Sequence, residues 1–187
     1  FKQKPEIRRY KSLFLRNSGN DFNQTHIRDA FLQALVNNSV DLDYQSFQPT
    51  IAYFNGEYWG IINIREKVDA DYLFCNYELS SVEINFLQVN LRAGSNNSYT
   101  AIRGSSADYD EIINFISSNS LVSDANYKHV ASQFDIQEYV NYMAVQIYIA
   151  NTDWPGNNVK LWKKSVDGKW RWILYDTDFG FGAESTD

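Results

Sequence analysis

The sequence predicts an α+β domain, on three observations. Two pairs of β-rich runs are each broken by a turn dipeptide, Asn55-Gly56 in the first and Asp167-Gly168 in the second, which marks two hairpins. Apolar residues recur at helical spacing over 22–36 and 136–150. The 187 residues, 44% hydrophobic and 21% charged, suffice for one folded core and exclude a disordered or fibrous segment.

Along the chain, the apolar run 11–16 reads as a strand, stopped by the turn formers Asn17-Ser18-Gly19-Asn20-Asp21. From Asp21, with Gln24 three residues on as a capping box, Ile27, Phe31, Ala34 and Leu35 outline a helix over 22–36 that leaves Arg28 and Asp29 off its apolar stripe. The runs 50–54 and 57–64 make the first hairpin, 65–69 leaves the strand, and 69–77 forms a short helix. The stretch 93–106, rich in Gly, Ser and Asn, is the candidate mobile connection. Helices over 108–118 and 136–150 open at Asp108 and Asp135, with Glu111 and Glu138 as reciprocal caps, and in the second Ile136, Val140, Met143 and Ile147 form the buried stripe. Pro155 and Gly156 stop any continuation, so 151–158 is a polar loop. The runs 159–162 and 170–175 close the second hairpin. No repeat, low-complexity tract or linker divides the sequence, and 1–187 reads as a single domain, a piece of a longer polypeptide.

The 17 basic and 23 acidic side chains give a net charge of −6, which repels phosphate backbones and disfavours nucleic acid as a partner. One cysteine, Cys75, supplies neither an internal disulfide nor a multi-thiolate zinc site. No apolar run approaches the roughly 20 residues of a membrane span. The aromatic and asparagine content suits a secreted or cell-surface protein.

Chemistry concentrates on the two flanks of the second hairpin: Asp153, Asn157 and Asn158 before it, Asp176, Asp178 and Gly180 after it. Antiparallel strands about 4.8 Å apart bring such flanks within side-chain reach of each other. Carboxylate and amide oxygens suit magnesium or manganese, which keep water and phosphate as further ligands. The spacing matches the back half of a kinase centre, where an aspartate positions the acceptor hydroxyl, an asparagine five residues later binds metal, and a second aspartate beyond a hairpin binds metal. Asp153 and Asn158 have that interval, and Asp178-Phe179-Gly180 spells the metal-binding tripeptide, although Asp176 projects to the same strand face and competes for the role.

The blocks 151–158 (Asn-Thr-Asp-Trp-Pro-Gly-Asn-Asn), 55–60 (Asn-Gly-Glu-Tyr-Trp-Gly) and 175–182 (Tyr-Asp-Thr-Asp-Phe-Gly-Phe-Gly) resemble the signature blocks of the spore-coat protein H (CotH) kinase-like family. The resemblance extends to Leu15-Arg16-Asn17-Ser18-Gly19 and Arg28-Asp29. It implies an atypical, protein-kinase-like two-lobe architecture, with about 1–68 as the N-lobe and 69–187 as the C-lobe. It also implies ATP with a divalent cation as cofactors, and Ser or Thr of secreted, coat or cell-surface proteins as acceptors. Carried over residue by residue, Asp153 is the catalytic base and Asn158 a metal ligand; Asp176, which follows a tyrosine, is the principal metal ligand with Asp178 auxiliary. By rank in the chain, Arg16 stands where a kinase's phosphate-gripping lysine stands, Asp29 is its helix partner, and Glu66 falls near the lobe-linking segment that touches adenine. Two features depart from ordinary kinases: no glycine-rich loop precedes residue 11, and Asn151-Thr152 replaces His-Arg before the catalytic aspartate.

Plainer readings stand beside these. Asn, Asp, Pro and Gly are ordinary turn residues, and Arg16 could form no more than a surface ion pair. His26 and His129 have no metal-spaced companions and receive no site role. Trp59, Trp162, Trp170 and Trp172 read as core packing in preference to a sugar platform. Three glycosylation-type sequons, starting at Asn23, Asn37 and Asn96, decide nothing in an Asn-rich chain. The rival functions are a catalytically silent surface or adhesion protein of the same fold, and a carbohydrate-binding domain.

Overall fold

The computed structural model describes residues 1–37, 39–89 and 99–182 and is a mixed α+β fold built on two sheets. The first sheet has three antiparallel strands in the order β1-β4-β3, from β1 (Leu13–Arg16), β3 (Phe47–Phe54) and β4 (Glu57–Glu66). Its turn is the expected one: Asn55 and Gly56 take φ of 50° and 85°, the two left-handed residues that match the twist of a two-residue hairpin. β4 runs two residues further than the sequence suggests, so Arg65 and Glu66 remain in the strand and are buried. At the ribbon tip Tyr53 meets Tyr58 and Phe54 meets Trp59 across the strands. These rings stay exposed, which corrects the expectation that Trp59 is core.

The second sheet has the order β2-β8-β7-β5-β6, from β2 (Asp43–Tyr44), β5 (Ile84–Val89), β6 (Tyr99–Arg103), β7 (Val159–Lys164) and β8 (Arg171–Leu174). Only the β2–β8 pairing is parallel. Strand alternation gives this sheet two buried faces. Leu161, Trp172, Leu174 and Leu87 pack against α3 (Ala107–Ser118), α4 (Asp124–Gln133) and α5 (Ile136–Tyr148) through Ile112, Val130 and Tyr142. Phe86, Trp162 and Ile173 pack against α2 (Ala70–Tyr77) through Tyr72 and Leu73. Part of the stretch expected to be a mobile connection is β6; residues 93–98 of it lie outside the described residues.

The helices depart from the sequence reading in three instructive ways. α1 spans only Arg28–Ala34, because the Asp21 carboxylate accepts from Thr25 and Arg28 and folds 21–28 into a loop where a helix was expected. The α3 cap at Asp108 does not form; Asp108 pairs instead with Lys163 of β7. α5 is turned relative to the expected stripe: Val140 and Ile147 are exposed, whereas Glu138, Tyr142 and Gln146 are buried. The start of α5 is as expected, with Asp135 accepting from Glu138 N.

Glu138 fixes α5 to β8, both of its carboxyl oxygens receiving the Trp172 N–H at 3.1 Å. Burial pushes this carboxyl up to about 9, against the opposing pull of the Trp172 hydrogen bond and Arg171. The proton is therefore held in the folded chain and released in the unfolded one at neutral pH, so the contribution is full below about 4.5 and is lost as pH rises through about 9. In Glu138→Gln, which keeps the acceptor and cannot ionise, urea-unfolding stability between pH 5 and 9 should fall less steeply than in the wild type. Parallel curves would mean that Glu138 ionises in place.

Candidate functional site

The site lies where the end of β1, the start of α1 and both flanks of the β7–β8 hairpin meet. Arg16 is the last residue of β1, in register with Asn63 of β4. Its guanidinium reaches Asp29 of α1 at 3.4 Å through Nε, and Nη2 donates both to Asp176 and, at 2.8 Å, to Asp178. The residues read from rank in the chain as a cation and its helix partner are thus an ion pair, and the same cation also holds the two carboxylates expected to bind metal.

Asp29 is buried and accepts from Arg65 Nη1, Gln33 Nε2 at 2.7 Å and Thr177 N at 2.8 Å. Burial alone would raise its carboxyl; Arg65 and Arg16 outweigh that and hold it below the usual carboxylate range. Asp178 is equally buried and accepts from Asn20 N at 2.9 Å. This close approach requires Gly19, at φ 59°, because a Cβ there would strike Asp178 Oδ2 and Arg16 Nη2. The segment after Asp178 is fixed from both sides: Arg28 donates to Gly180 O at 2.7 Å, and Phe181 N donates to Ile149 O at 2.7 Å.

Asp176 differs from Asp178 in environment. It keeps 29% side-chain exposure, sits at φ 52°, and is pushed up to about 6 by burial, with Arg16 opposing and Asp178 and Asp29 adding to the rise. The two aspartates that the sequence could not rank are separated by the fold: Asp178 is a buried hydrogen-bonded anchor, and Asp176 is the one with access to a ligand.

On the other flank, Asp153 Oδ2 accepts from Asn158 Nδ2 at 2.8 Å and Asn157 Nδ2 at 3.0 Å, and its N–H donates to Asn151 Oδ1 at 3.2 Å. Asn151 in turn donates to Gln146 of α5 at 3.0 Å, which ties the loop to the helix. With its NH2 turned to Asp153, Asn158 presents its oxygen away from that carboxylate, the orientation a cation ligand needs. The β7–β8 register pairs Lys160 with Ile173, so both flanks leave the hairpin at the same end, and the Tyr175 phenol there is raised by burial first and then by Asp176 and Asp153.

Among the described residues no three Asp, Glu, His or Cys side chains form a metal cage. Magnesium does not require one, since it is held by one or two carboxylates with water and substrate phosphate completing the shell. The Asp176 carboxylate and the Asn158 oxygen are donors of that kind, with Asp178 held behind them by Arg16 and Asn20.

Glu66 requires a correction. Its carboxylate is bound by Lys4 at 2.8 Å, by Ser46 N at 2.8 Å and by Asn76 Nδ2 at 2.9 Å, and its backbone carbonyl accepts from Gln45. Both its side chain and its carbonyl are internal struts between the first sheet, the chain before β3 and α2. Sequence reasoning missed Gly19, Asn20 and Arg65; the left-handed demand of a turn cluster was a signal for Gly19, and nothing local marked a buried arginine inside a strand. A cavity of about 740 Å³ lined by Glu6–Arg9 and Phe74–Glu78 shares no residue with this site.

No curated protein matches the chain. Residues 2–186 match the family model described as CotH kinase protein, nearly the whole sequence. The chain belongs to the CotH kinase family.

Proposed function

We propose that this chain is a kinase-like phosphotransferase that takes ATP with magnesium or manganese and phosphorylates Ser or Thr hydroxyls of secreted, coat or cell-surface proteins. The observation that carries the reading is the placement of the Asp153–Asn158 pair and of the Arg16-bound Asp176 and Asp178 on the two flanks of one hairpin, whose antiparallel register returns those flanks to the same end. Family membership supports the kinase-like part; the acceptor class and the location rest on the family's character and on the composition.

In this reading Asp153, held by two asparagine amides, orients an acceptor hydroxyl and takes its proton. Asn158 and Asp176 hold the metal ion, with Asp178 fixing the strand end behind them. The ion, when bound, supplies charge neutralisation on the phosphate oxygens. Arg16, whose Nη2 donates to both Asp176 and Asp178, grips phosphate through its planar guanidinium. Positioning and fixed charge account for most of the rate.

With labelled ATP, magnesium and a Ser- and Thr-rich acceptor, Asp153→Ala should lose at least ~100-fold of the transfer rate, the scale of a general base, while still binding ATP with magnesium. Transfer that survives this change removes Asp153 from the base role. Asp176→Asn should lose the magnesium dependence of ATP binding, read by calorimetry; unchanged dependence removes Asp176 as a ligand. Tight binding by the wild type with no transfer to any acceptor favours the silent alternative.

A further inference from the structure

Lys160 is a charged side chain of the hairpin to which the reading above gives no task. It lies on β7 two residues after Asn158, and strand alternation puts it on the face shared with Trp162, toward α2 and the chain that crosses from the first sheet to the second. Its ammonium donates to the Val68 carbonyl at 2.8 Å and sits 4.7 Å from the Tyr175 ring centroid and 6.0 Å from that of Phe86. Asp69, Asp176 and Lys67 are the charged groups that face it. An ammonium carries three donors, and among the described residues only Val68 accepts from this one.

Position along the site decides what those donors would meet. Arg16, Asp176 and Asp178 mark the phosphate end, and the crossover at Val68 and Asp69 marks the other. Tyr175 lies between, its phenol in the field of Asp176 and Asp153 and its ring under the lysine. In the nucleotide reading, phosphates beside Arg16 and Asp176 leave the nucleoside for the Val68 end, on the far side of Tyr175. There it finds a half-desolvated cation that can only donate, and so can recognise only acceptor atoms, such as a ring nitrogen, a base carbonyl or a ribose oxygen.

We propose that Lys160 is a nucleoside-reading residue: it binds acceptor atoms of the base or ribose at the crossover end of the site, and does not grip the phosphates. This rests on the nucleotide reading above and adds to it a residue and a division of the site into two ends.

The test uses three probes on the wild-type chain, Lys160→Met and Lys160→Arg, with dissociation constants from calorimetry: adenosine, ATP with magnesium, and inorganic tripolyphosphate with magnesium. Lys160→Met should weaken adenosine and ATP by a similar factor, about tenfold, the scale of one hydrogen bond from a charged donor, and leave tripolyphosphate unchanged. Lys160→Arg, which keeps the cation, should hold adenosine closer to the wild-type value and guards against a loss caused by misfolding. A loss on tripolyphosphate and ATP with adenosine untouched would make Lys160 a phosphate ligand and overturn the proposal, as would no loss on any probe. A wild-type chain that binds none of the three would instead remove the nucleotide reading itself.

Discussion

The structure depends on a charge balance around one guanidinium. Arg16 bridges the end of β1 to Asp29 on α1 and to Asp176 and Asp178 on the far side of the β7–β8 hairpin, and Arg65 adds a second cation on Asp29. Buried carboxylates persist only when paired, and removing one partner of such a pair costs about 3–5 kcal/mol because it leaves an uncompensated charge. Two cations here face three carboxylates. Burial raises the Asp176 carboxyl, with Arg16 opposing and Asp178 and Asp29 adding to the rise, whereas at Asp29 two cations outweigh burial and lower it. Asp178 is closed in by Arg16 and Asn20, and Asp176 keeps the larger exposure.

The same balance explains why the site can exist only in the folded chain. Arg16 and Asp178 are separated by 162 positions in sequence, and Asp29 and Thr177 by 148. Each half supplies what the other lacks: the first sheet and α1 bring cations, and the hairpin brings carboxylates and amides. Gly19 permits the closest approach of the two halves, and Arg28 fastens the Gly180 carbonyl to α1. The ligand-facing side chains are therefore positioned by strands, a helix end and internal ion pairs, with the 151–158 loop anchored through Asn151 to Gln146.

What was legible in the sequence was local. Asn55-Gly56 forced a hairpin because its backbone demand is its own, and Asp135 marked a helix start because a cap bonds within three residues. The Asp153–Asn158 interval was legible as a spacing and forms a direct hydrogen bond. Side chains that act over long range were not legible. Asp21 looked like a cap and is a loop organiser; Glu66 looked like a lobe-linking contact and is a strut for Lys4 and Ser46. The α5 stripe misled because Glu138 and Gln146 are buried for their hydrogen bonds to Trp172 and to Tyr142 and Asn151, and periodicity counts only apolar residues. That Asn20 and Gly19 wrap Asp178 and leave Asp176 more exposed is a long-range feature no local pattern marked.

The central claim is that both flanks of the hairpin face a single cation, and paramagnetic broadening measures it directly. At 21.7 kDa the chain is within reach of backbone amide NMR. Substoichiometric manganese with ATP should broaden the amides of Asn20, Asn158, Asp176 and Asp178 together and leave those of Tyr53 and Trp59 at the ribbon tip sharp. Broadening confined to one flank, or centred elsewhere, would contradict the account.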